Sequence, residues 1–442
     1  MKWLSSVSTR TRRLVIILSG AALVAGVAAG TTAAASPAPA AHASTTSAAA
    51  PGWTGSWAAS PMAGTTSFTD QTVRNVIFTS TGGSALRVRL ANTFGSAPLQ
   101  VGAVSVGTVL DGSRLVPGSS KTVTFGGTTS TTVPAGAEKT SDPVTFQARP
   151  LTELAVSVYL PTATGGATNH SDAQQNTYVA SGNHAGDTAP DAYKNDGTSW
   201  YFVDGLDVQS LTSPGTVVAF GDSITDGYLS LTGSNSRWPN YLARRLDAAD
   251  GSRAPGVVDE GISGNRILNG SSCFGVSALS RFERDALGQA GVKSVILMEG
   301  INDIGFAGQA DTGCSAPNNP GVTAAQIESG YKTLISEAHA KGVRIYAGTL
   351  TPFMGSNTVY GGYDGTAHGE QLREQVNSWI RTSHAFDGVI DFDQATRDPG
   401  DPQYLNPAYD SDSAANSTAD GLHPNDAGYE AMAGAVPLGF TG

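Results

Sequence analysis

The stretch Val217-Val218-Ala219-Phe220-Gly221-Asp222-Ser223-Ile224-Thr225-Asp226-Gly227 decides how the rest of this chain is read. Its apolar run, Val217 to Phe220, is closed by Gly221 and has the composition of a buried strand. Ser223 follows at the turn. In an open α/β sheet, the turns beyond the carboxyl ends of the strands are where a ligand crevice forms. A serine hydroxyl is a weak nucleophile; it needs an imidazole to take its proton and a carboxylate to orient that imidazole. Far along the chain, Asp420-Gly421-Leu422-His423-Pro424 offers both groups on one loop. Taken alone, Ser223 fits a helix N-cap just as well, so the second stretch is what points to chemistry.

Outward from this strand the sequence alternates between short apolar runs and amphipathic segments. A helix is expected over 238–248, and a second strand opens at Val257-Val258 and ends before Gly261. A helix over 281–289 and a strand over 295–298 follow. Thr323 begins a helix with Gln326 placed for a capping box. Its apolar face is Ile327, Tyr331, Leu334, Ile335 and Ala338, and Gly342 closes it. A strand over 343–347, a helix over 368–383, a strand over 389–392 and a helix over 425–433 complete the series. Pro424 is expected to start that last helix and Asp426 to cap it. Such alternation implies a parallel sheet covered on both faces. Ser223, Gly264 and Asn302 would then meet at one edge of it.

Three further blocks accompany the first in a fixed order: Gly261-Ile262-Ser263-Gly264-Asn265-Arg266, Glu299-Gly300-Ile301-Asn302-Asp303, and Asp420-x-x-His423. Together with Gly221-Asp222-Ser223-Ile224 they resemble the SGNH (GDSL-type) esterase and lipase family across roughly residues 216–428. The resemblance implies a flavodoxin-like three-layer α/β sandwich with a five-stranded parallel sheet, and a serine esterase working through an acyl-enzyme. It implies Ser223 as nucleophile, His423 as general base and then acid, and Asp420 as the group that orients His423. It implies an oxyanion hole made by the Ser223 N–H, the Gly264 N–H and the Asn302 amide. Gly264 suits that role because a residue without a β-carbon lets backbone approach a substrate. Asp410 and Asp412 compete with Asp420, but the polar stretch 410–418 reads as a surface loop that holds them farther away. Asp222, Asp226, Asn265, Arg266, Glu299 and Asp303 read as loop scaffolding, with Arg266 and His368 as possible substrate contacts. No cofactor is expected, since neither zinc spacing, nor an EF-hand, nor a phosphate-binding glycine loop is present.

Upstream, residues 53–211 look all-β, a sandwich or jelly roll. Leu86, Val88 and Leu90 alternate with Arg87 and Arg89, and Leu154, Val156, Val158 and Leu160 alternate up to Pro161. Short strands over 101–109 and 121–125 lie between them. The segment resembles the β-domain that precedes the catalytic domain in some actinobacterial members of the family. Trp53, Trp57 and Trp200 are either a carbohydrate platform or filling for a core or a seam. Residues 212–442 are left for the catalytic part.

Residues 1–52 read as a signal peptide and an Ala/Ser/Pro linker. Lys2, Arg10, Arg12 and Arg13 precede the apolar stretch 14–29, and small residues then offer cleavage sites. A retained membrane anchor is the alternative. Removing these four cations takes the formal net charge from −11 to −15. That balance disfavours DNA, RNA and anionic membranes as partners. Secretion favours a disulfide between Cys273 and Cys314, the chain's two cysteines. It would brace the loops that follow Gly264 and Asn302.

The expected activity is secreted hydrolysis of carboxylic esters, of short-chain acyl groups or O-acetyl groups on carbohydrate. Lipid esters are the alternative substrate. Acyl transfer and non-catalytic glycan binding are the rival functions.

Overall fold

The computed structural model describes residues 52–309, 321–412 and 418–441. Apart from Gly52, the expected targeting segment and linker lie outside the described residues. Five strands form one parallel sheet: β1 (Thr216–Gly221), β2 (Gly256–Gly261), β3 (Val292–Met298), β4 (Arg344–Gly348) and β5 (Gly388–Ile390). Their spatial order is β2-β1-β3-β4-β5, all parallel. This is the flavodoxin-like order, in which successive connections reverse direction between β1 and β3. Right-handed crossovers then put α1 (Trp238–Asp250) on one face, and α2 (Ala324–Ala340) and α3 (Ala367–Thr382) on the other. A last helix, α4 (Asp426–Ala435), packs beside α1, as α2 does beside α3.

Central β1 is buried at every residue because both its faces are covered. That is why it carries no polar alternation. Phe220 sits at its end with no exposed surface, in the same cluster as Leu242, Leu297 and Tyr429. Truncating such a ring to Ala costs about 3–5 kcal/mol. In register, Gly221 stands opposite both Gly261 and Met298, so β1, β2 and β3 end at one level. The three loops that follow therefore open on the same edge.

Local chemistry explains most helix ends. Thr323 and Gln326 form the reciprocal capping box on α2. The last helix differs from expectation. Asn425 is its N-cap, its side chain accepting the N–H groups of Ala427 and Gly428. Asp426 instead accepts the Leu231 N–H, and Pro424 ends a strand rather than starting the helix. Residues 281–289 also differ: a short α-helix, Ala278–Phe282, runs into a π-turn, Glu283–Leu287.

Residues 53–209 form antiparallel sheets. One joins Trp53–Ala58, Val203–Gln209, Gly83–Ala91, Glu138–Thr140 and Val144–Ala148; a second is built around Gln71–Thr79, Thr152–Leu160 and Ala103–Asp111; two smaller sheets join Met62–Ala63, Thr168–His170 and Trp200–Tyr201, and Leu99–Val101 with Thr131–Val133. Leu86, Val88 and Leu90 of the first sheet share one apolar core with Val156 and Val158 of the second, which makes a sandwich. The alternation seen in the sequence is only half of each story. Ala155 and Ser157 are buried as well. The outer face of their strand is covered by Arg74, whose guanidinium reaches Ser157 Oγ at 2.9 Å and the Asp187 carbonyl at 2.6 Å. Arg87 and Arg89 pair with Asp207 and Asp204 rather than with solvent.

This sandwich and the parallel sheet meet along a polar seam. The Gly55 N–H donates to Thr216 Oγ1 at the start of β1, and Ser60 Oγ donates to the buried Glu260 carboxylate of β2 at 2.6 Å. Arg281, fully buried, donates to Ser60 Oγ, to the Glu260 carbonyl and to the Gly221 carbonyl. An acidic residue inside a central sheet is thus accounted for by one donor from the sandwich, Ser60, and one from its own side, Gln289. Trp53, Trp57 and Trp200 are all buried, in the sandwich core or at this seam. Trp200 donates its indole N–H to the Val76 carbonyl, so these rings are not an open carbohydrate platform.

Candidate active site

Beyond Gly221 the chain enters a single helical turn, Ser223–Asp226. Asp222 caps it by accepting the Ile224 N–H at 3.0 Å. Burial pushes that carboxyl up to about 7, against the pull of this hydrogen bond. The turn presents Ser223 Oγ to His423, 2.9 Å from Nε2.

The spacing Asp420-x-x-His423 has a local cause. Asp420 Oδ1 accepts the backbone N–H groups of Leu422 and His423, both at 2.8 Å. That folded-back geometry leaves Oδ2 free to face the ring, and the His423 Nδ1–H donates to it at 2.7 Å. Tyr360 adds a second donor to the same oxygen, at 2.9 Å. Burial opposes charge on Asp420, but these hydrogen bonds outweigh it and hold the carboxyl below its usual range. The Tyr360 hydroxyl is pushed far up by burial and by that carboxylate, so it remains a donor.

Asp420 and His423 lie on a short strand, Ala419–Pro424, not on a free loop. It pairs with Asp410–Asp412, and Asp410 accepts the Gly421 N–H at 3.0 Å. The expectation that distance separates Asp410 from the histidine is therefore corrected. It is near, but its carboxylate faces backbone, while Asp420 faces the ring.

Ser223, Gly264, Asn302 and His423 all line one cavity of about 410 Å³. Gly264 has φ 75, and a β-carbon there would fall inside the envelope of the Phe274 ring. Glycine is required by that backbone and that neighbour, a tighter reason than substrate approach alone. Asn302 sits in the short helix Ile301–Gly305 after β3. Tyr363 donates to its Oδ1 at 2.9 Å, and its Nδ2 donates to the Asn265 carbonyl at 3.0 Å. The amide orientation is therefore fixed, and one Nδ2 hydrogen remains for the cavity.

The scaffolding residues do what their chemistry suggests. Asp303 accepts the N–H groups of Ile267 and Leu268, tying the loop after β2 to the turn after β3. Asn265 ties the Phe274 and Val276 carbonyls. Arg266 is buried, with its guanidinium over Phe306 and outside the cavity lining. His368 is exposed and bonded to Asp364, so neither residue contacts the cavity.

Several lining groups carried no signal in the four blocks. Phe274 and Phe306 stack at 5.3 Å, and the Tyr228 ring meets His423 edge-on at 4.8 Å. Tyr360 and Tyr363 come from the glycine-rich loop 353–366, which follows β4. Its position at a strand's carboxyl end was a usable clue. Asp172 also lines the cavity although it belongs to the β-sandwich. Among the described residues, no cluster of three or more His, Cys, Asp or Glu is placed to hold a metal ion. None of their helices is long and apolar enough to cross a membrane. Cys273 lies on the loop after Gly264, and its expected partner Cys314 lies outside the described residues.

Residues 219–431 match the model of the GDSL-like lipase/acylhydrolase family. No curated protein matches the chain. Solved structures similar to it include a GDSL-like lipase from Bacteroides thetaiotaomicron, 19% identical, covering 50% of this chain and 84% of that one with a TM-score of 0.34. The acetylxylan esterase Axe2 from Geobacillus stearothermophilus is 22% identical, with 51% and 94% coverage and a TM-score of 0.36. LAE5, an alpha/beta hydrolase enzyme from the metagenome of Lake Arreo, is 19% identical, with 51% and 94% coverage and a TM-score of 0.36. Residues 219–431 are thus a GDSL-like lipase/acylhydrolase domain, and the chain that carries it is a carboxylic ester hydrolase.

Proposed function

We propose that this hydrolase removes short acyl groups, acetyl above all, from hydroxylated substrates such as carbohydrate, and that it does so by an acyl-enzyme. Ser223 attacks the ester carbonyl while His423 Nε2 takes its proton. Asp420 holds the ring in the tautomer with Nδ1–H and favours the imidazolium. Negative charge on the tetrahedral oxygen is met by the Ser223 and Gly264 N–H groups and the Asn302 amide. His423 then protonates the departing alcohol, and a water activated by the same nitrogen releases the acid. The observation that carries this mechanism is the hydrogen-bonded line Ser223–His423–Asp420, 2.9 and 2.7 Å, opening on the cavity that Gly264 and Asn302 also line.

The substrate reading leans on Asp172. A carboxylate in the wall of a pocket otherwise rich in aromatic rings suits an alcohol with further hydroxyls. It is a poor neighbour for a long alkyl chain, which would displace water from it and leave only the Ser171 and Ser263 hydroxyls to meet its charge. A chain-length series of p-nitrophenyl esters, set beside acetate release from acetylated xylan, tests this. Turnover is expected to peak at two to four acyl carbons, with acetate released. A peak at long chains without acetate release points to lipid esters instead. Ser223→Ala should abolish turnover with the fold intact.

Residues 1–52 fit a secretory signal peptide and linker within this proposal, so the enzyme acts outside the cell. A Cys273–Cys314 bridge belongs to the same reading. Intact-mass measurement after alkylation, with and without reductant, tests it: the non-reduced protein should take up no label.

A further inference from the structure

His170 belongs to the β-sandwich, on the strand Thr168–His170, yet it ends inside the hydrolase loops. It is 4% exposed. Both ring nitrogens face oxygen: Nδ1 is 3.0 Å from the Ser60 carbonyl, and Nε2 is 3.0 Å from Asp226 Oδ1. A carbonyl has no proton to give, so Nδ1 carries a hydrogen. Nε2 facing a carboxylate makes the pair imidazolium and carboxylate, or a neutral pair sharing one proton. Burial disfavours charge on the ring, but Asp226 outweighs it and raises the pKa of His170.

Asp226 is the last residue of the turn that bears Ser223. Its second oxygen accepts the Ser263 hydroxyl at 3.0 Å, and its carbonyl accepts Arg237 Nε at 2.6 Å. Ser263 precedes Gly264, and both line the cavity. A path of two hydrogen bonds therefore runs from the β-sandwich to the residue next to the oxyanion donor.

We propose that His170 is a positioning residue for the hydrolytic reaction: it orients the Asp226 carboxylate, which holds Ser263 and so aims the Gly264 N–H. This rests on the reading of Gly264 and Asn302 as oxyanion donors. It makes the sandwich a working part of the active site. Arg237 supports the same carboxylate residue through its backbone, and its guanidinium lies over the Trp200 ring that also packs near His170.

Two substitutions separate positioning from mere packing. His170→Asn keeps a donor near the Nδ1 position for Ser60 and loses the one aimed at Asp226. His170→Gln reaches the Nε2 position and keeps that donor. The steady-state kinetics of p-nitrophenyl acetate hydrolysis and the Tm are measured for the full chain. H170N is expected to lower kcat about tenfold or more with KM within twofold. H170Q is expected to recover most of kcat even if its Tm is no better. Ser263→Ala, on a half-buried loop, should reproduce the H170N loss, and the double variant should lose no more than the worse single one. A folded H170N or S263A with kcat within twofold of wild type overturns the proposal, as does equal kcat in H170N and H170Q. If H170N does not fold, S263A decides alone. Asn302→Ala is the control: if it collapses kcat while S263A does not, only this proposal falls. If Asn302→Ala leaves kcat intact, the oxyanion reading beneath it falls too.

Discussion

Asn302→Ala isolates one donor, and the structure fixes what its loss should do. The side chain is 3% exposed and held on two sides, by Tyr363 on Oδ1 and by Asn265 beyond Nδ2. Removing it takes away the N–H that would meet the tetrahedral oxygen. A preorganised donor of this kind is worth about 3 kcal/mol in the transition state, which is roughly a hundredfold or more in kcat. KM should change little, because the ground-state carbonyl is not where the charge develops. The cost to folding is bounded. Tyr363 keeps the Ile301 carbonyl as an acceptor at 3.3 Å, and only the Asn265 carbonyl loses its donor, about 1 kcal/mol. The assay is kcat and KM for p-nitrophenyl acetate, with calorimetry on the same preparation. Asn302→Asp keeps the shape, removes the donor and adds charge beside the oxyanion, so it should be worse than Ala. A folded N302A with kcat within threefold of wild type refutes the assignment.

Gly264→Ala meets both a positive φ and the Phe274 ring, and a non-glycine residue in that backbone region costs about 1–2 kcal/mol before any clash. We expect kcat to fall at least tenfold, with partial recovery in G264A/F274A measured on the same ester; full recovery would show that φ does not matter. Tyr360→Phe removes one of two side-chain donors on Asp420 Oδ2 and should lower kcat/KM only several-fold, whereas Asp420→Asn, which spoils the tautomer, should cost roughly a thousandfold or more. Asp172→Asn should raise KM for acetylated xylo-oligosaccharide while leaving p-nitrophenyl acetate unchanged; equal effects on both would remove Asp172 from substrate recognition. Above about pH 5, stability should fall as pH rises. Burial raises Asp222 and Asp259 to about 7, Asp204 to about 8, and Asp303 and Asp410 to about 6. Each binds its proton more tightly folded than unfolded, so each disfavours folding increasingly as pH rises toward these values. His170, also raised, contributes stability that is lost as pH climbs through its folded value. The lowered carboxyls, Asp420, Asp285 and Asp391 among them, lose theirs only below about pH 4. Tm should therefore be higher near pH 5.5 than near pH 8.5, and a scan with the reverse order contradicts this.

The parallel sheet was legible because each of its central strands is short, apolar and followed by a helix with readable ends, as Thr323 and Gln326 illustrate. The pair Ser223 and His423 was legible because the Asp420-x-x-His423 spacing is itself a folding device, with backbone N–H groups captured by the same carboxylate that orients the ring. What escaped is what depends on distant partners. Asn425 and Asp426 are both good caps in isolation, and only the Leu231 N–H draws one of them away. Arg87 and Arg89 look solvent-facing until Asp207 and Asp204 are placed opposite them. Glu260 interrupts a buried strand for no local reason; its partners, Ser60 and Gln289, lie 200 and 29 residues away. His170 and Asp172 stand in a segment whose pattern speaks only of strands, so nothing nearby announced that they reach another body.

The seam has a consequence for anyone who would treat the catalytic half as a separable cassette. Cut free of residues 53–211, the hydrolase would present Glu260, Arg281 and Asp226 with missing counterparts, three polar groups stranded in what had been an interior. Transplanting a foreign sandwich would strand them equally unless it carried a serine and a histidine at the matching places. Recombination between relatives should thus tolerate exchanges of the loops at the open edge of the sheet far better than exchanges of whole halves, and inherited variation in this enzyme should be confined accordingly.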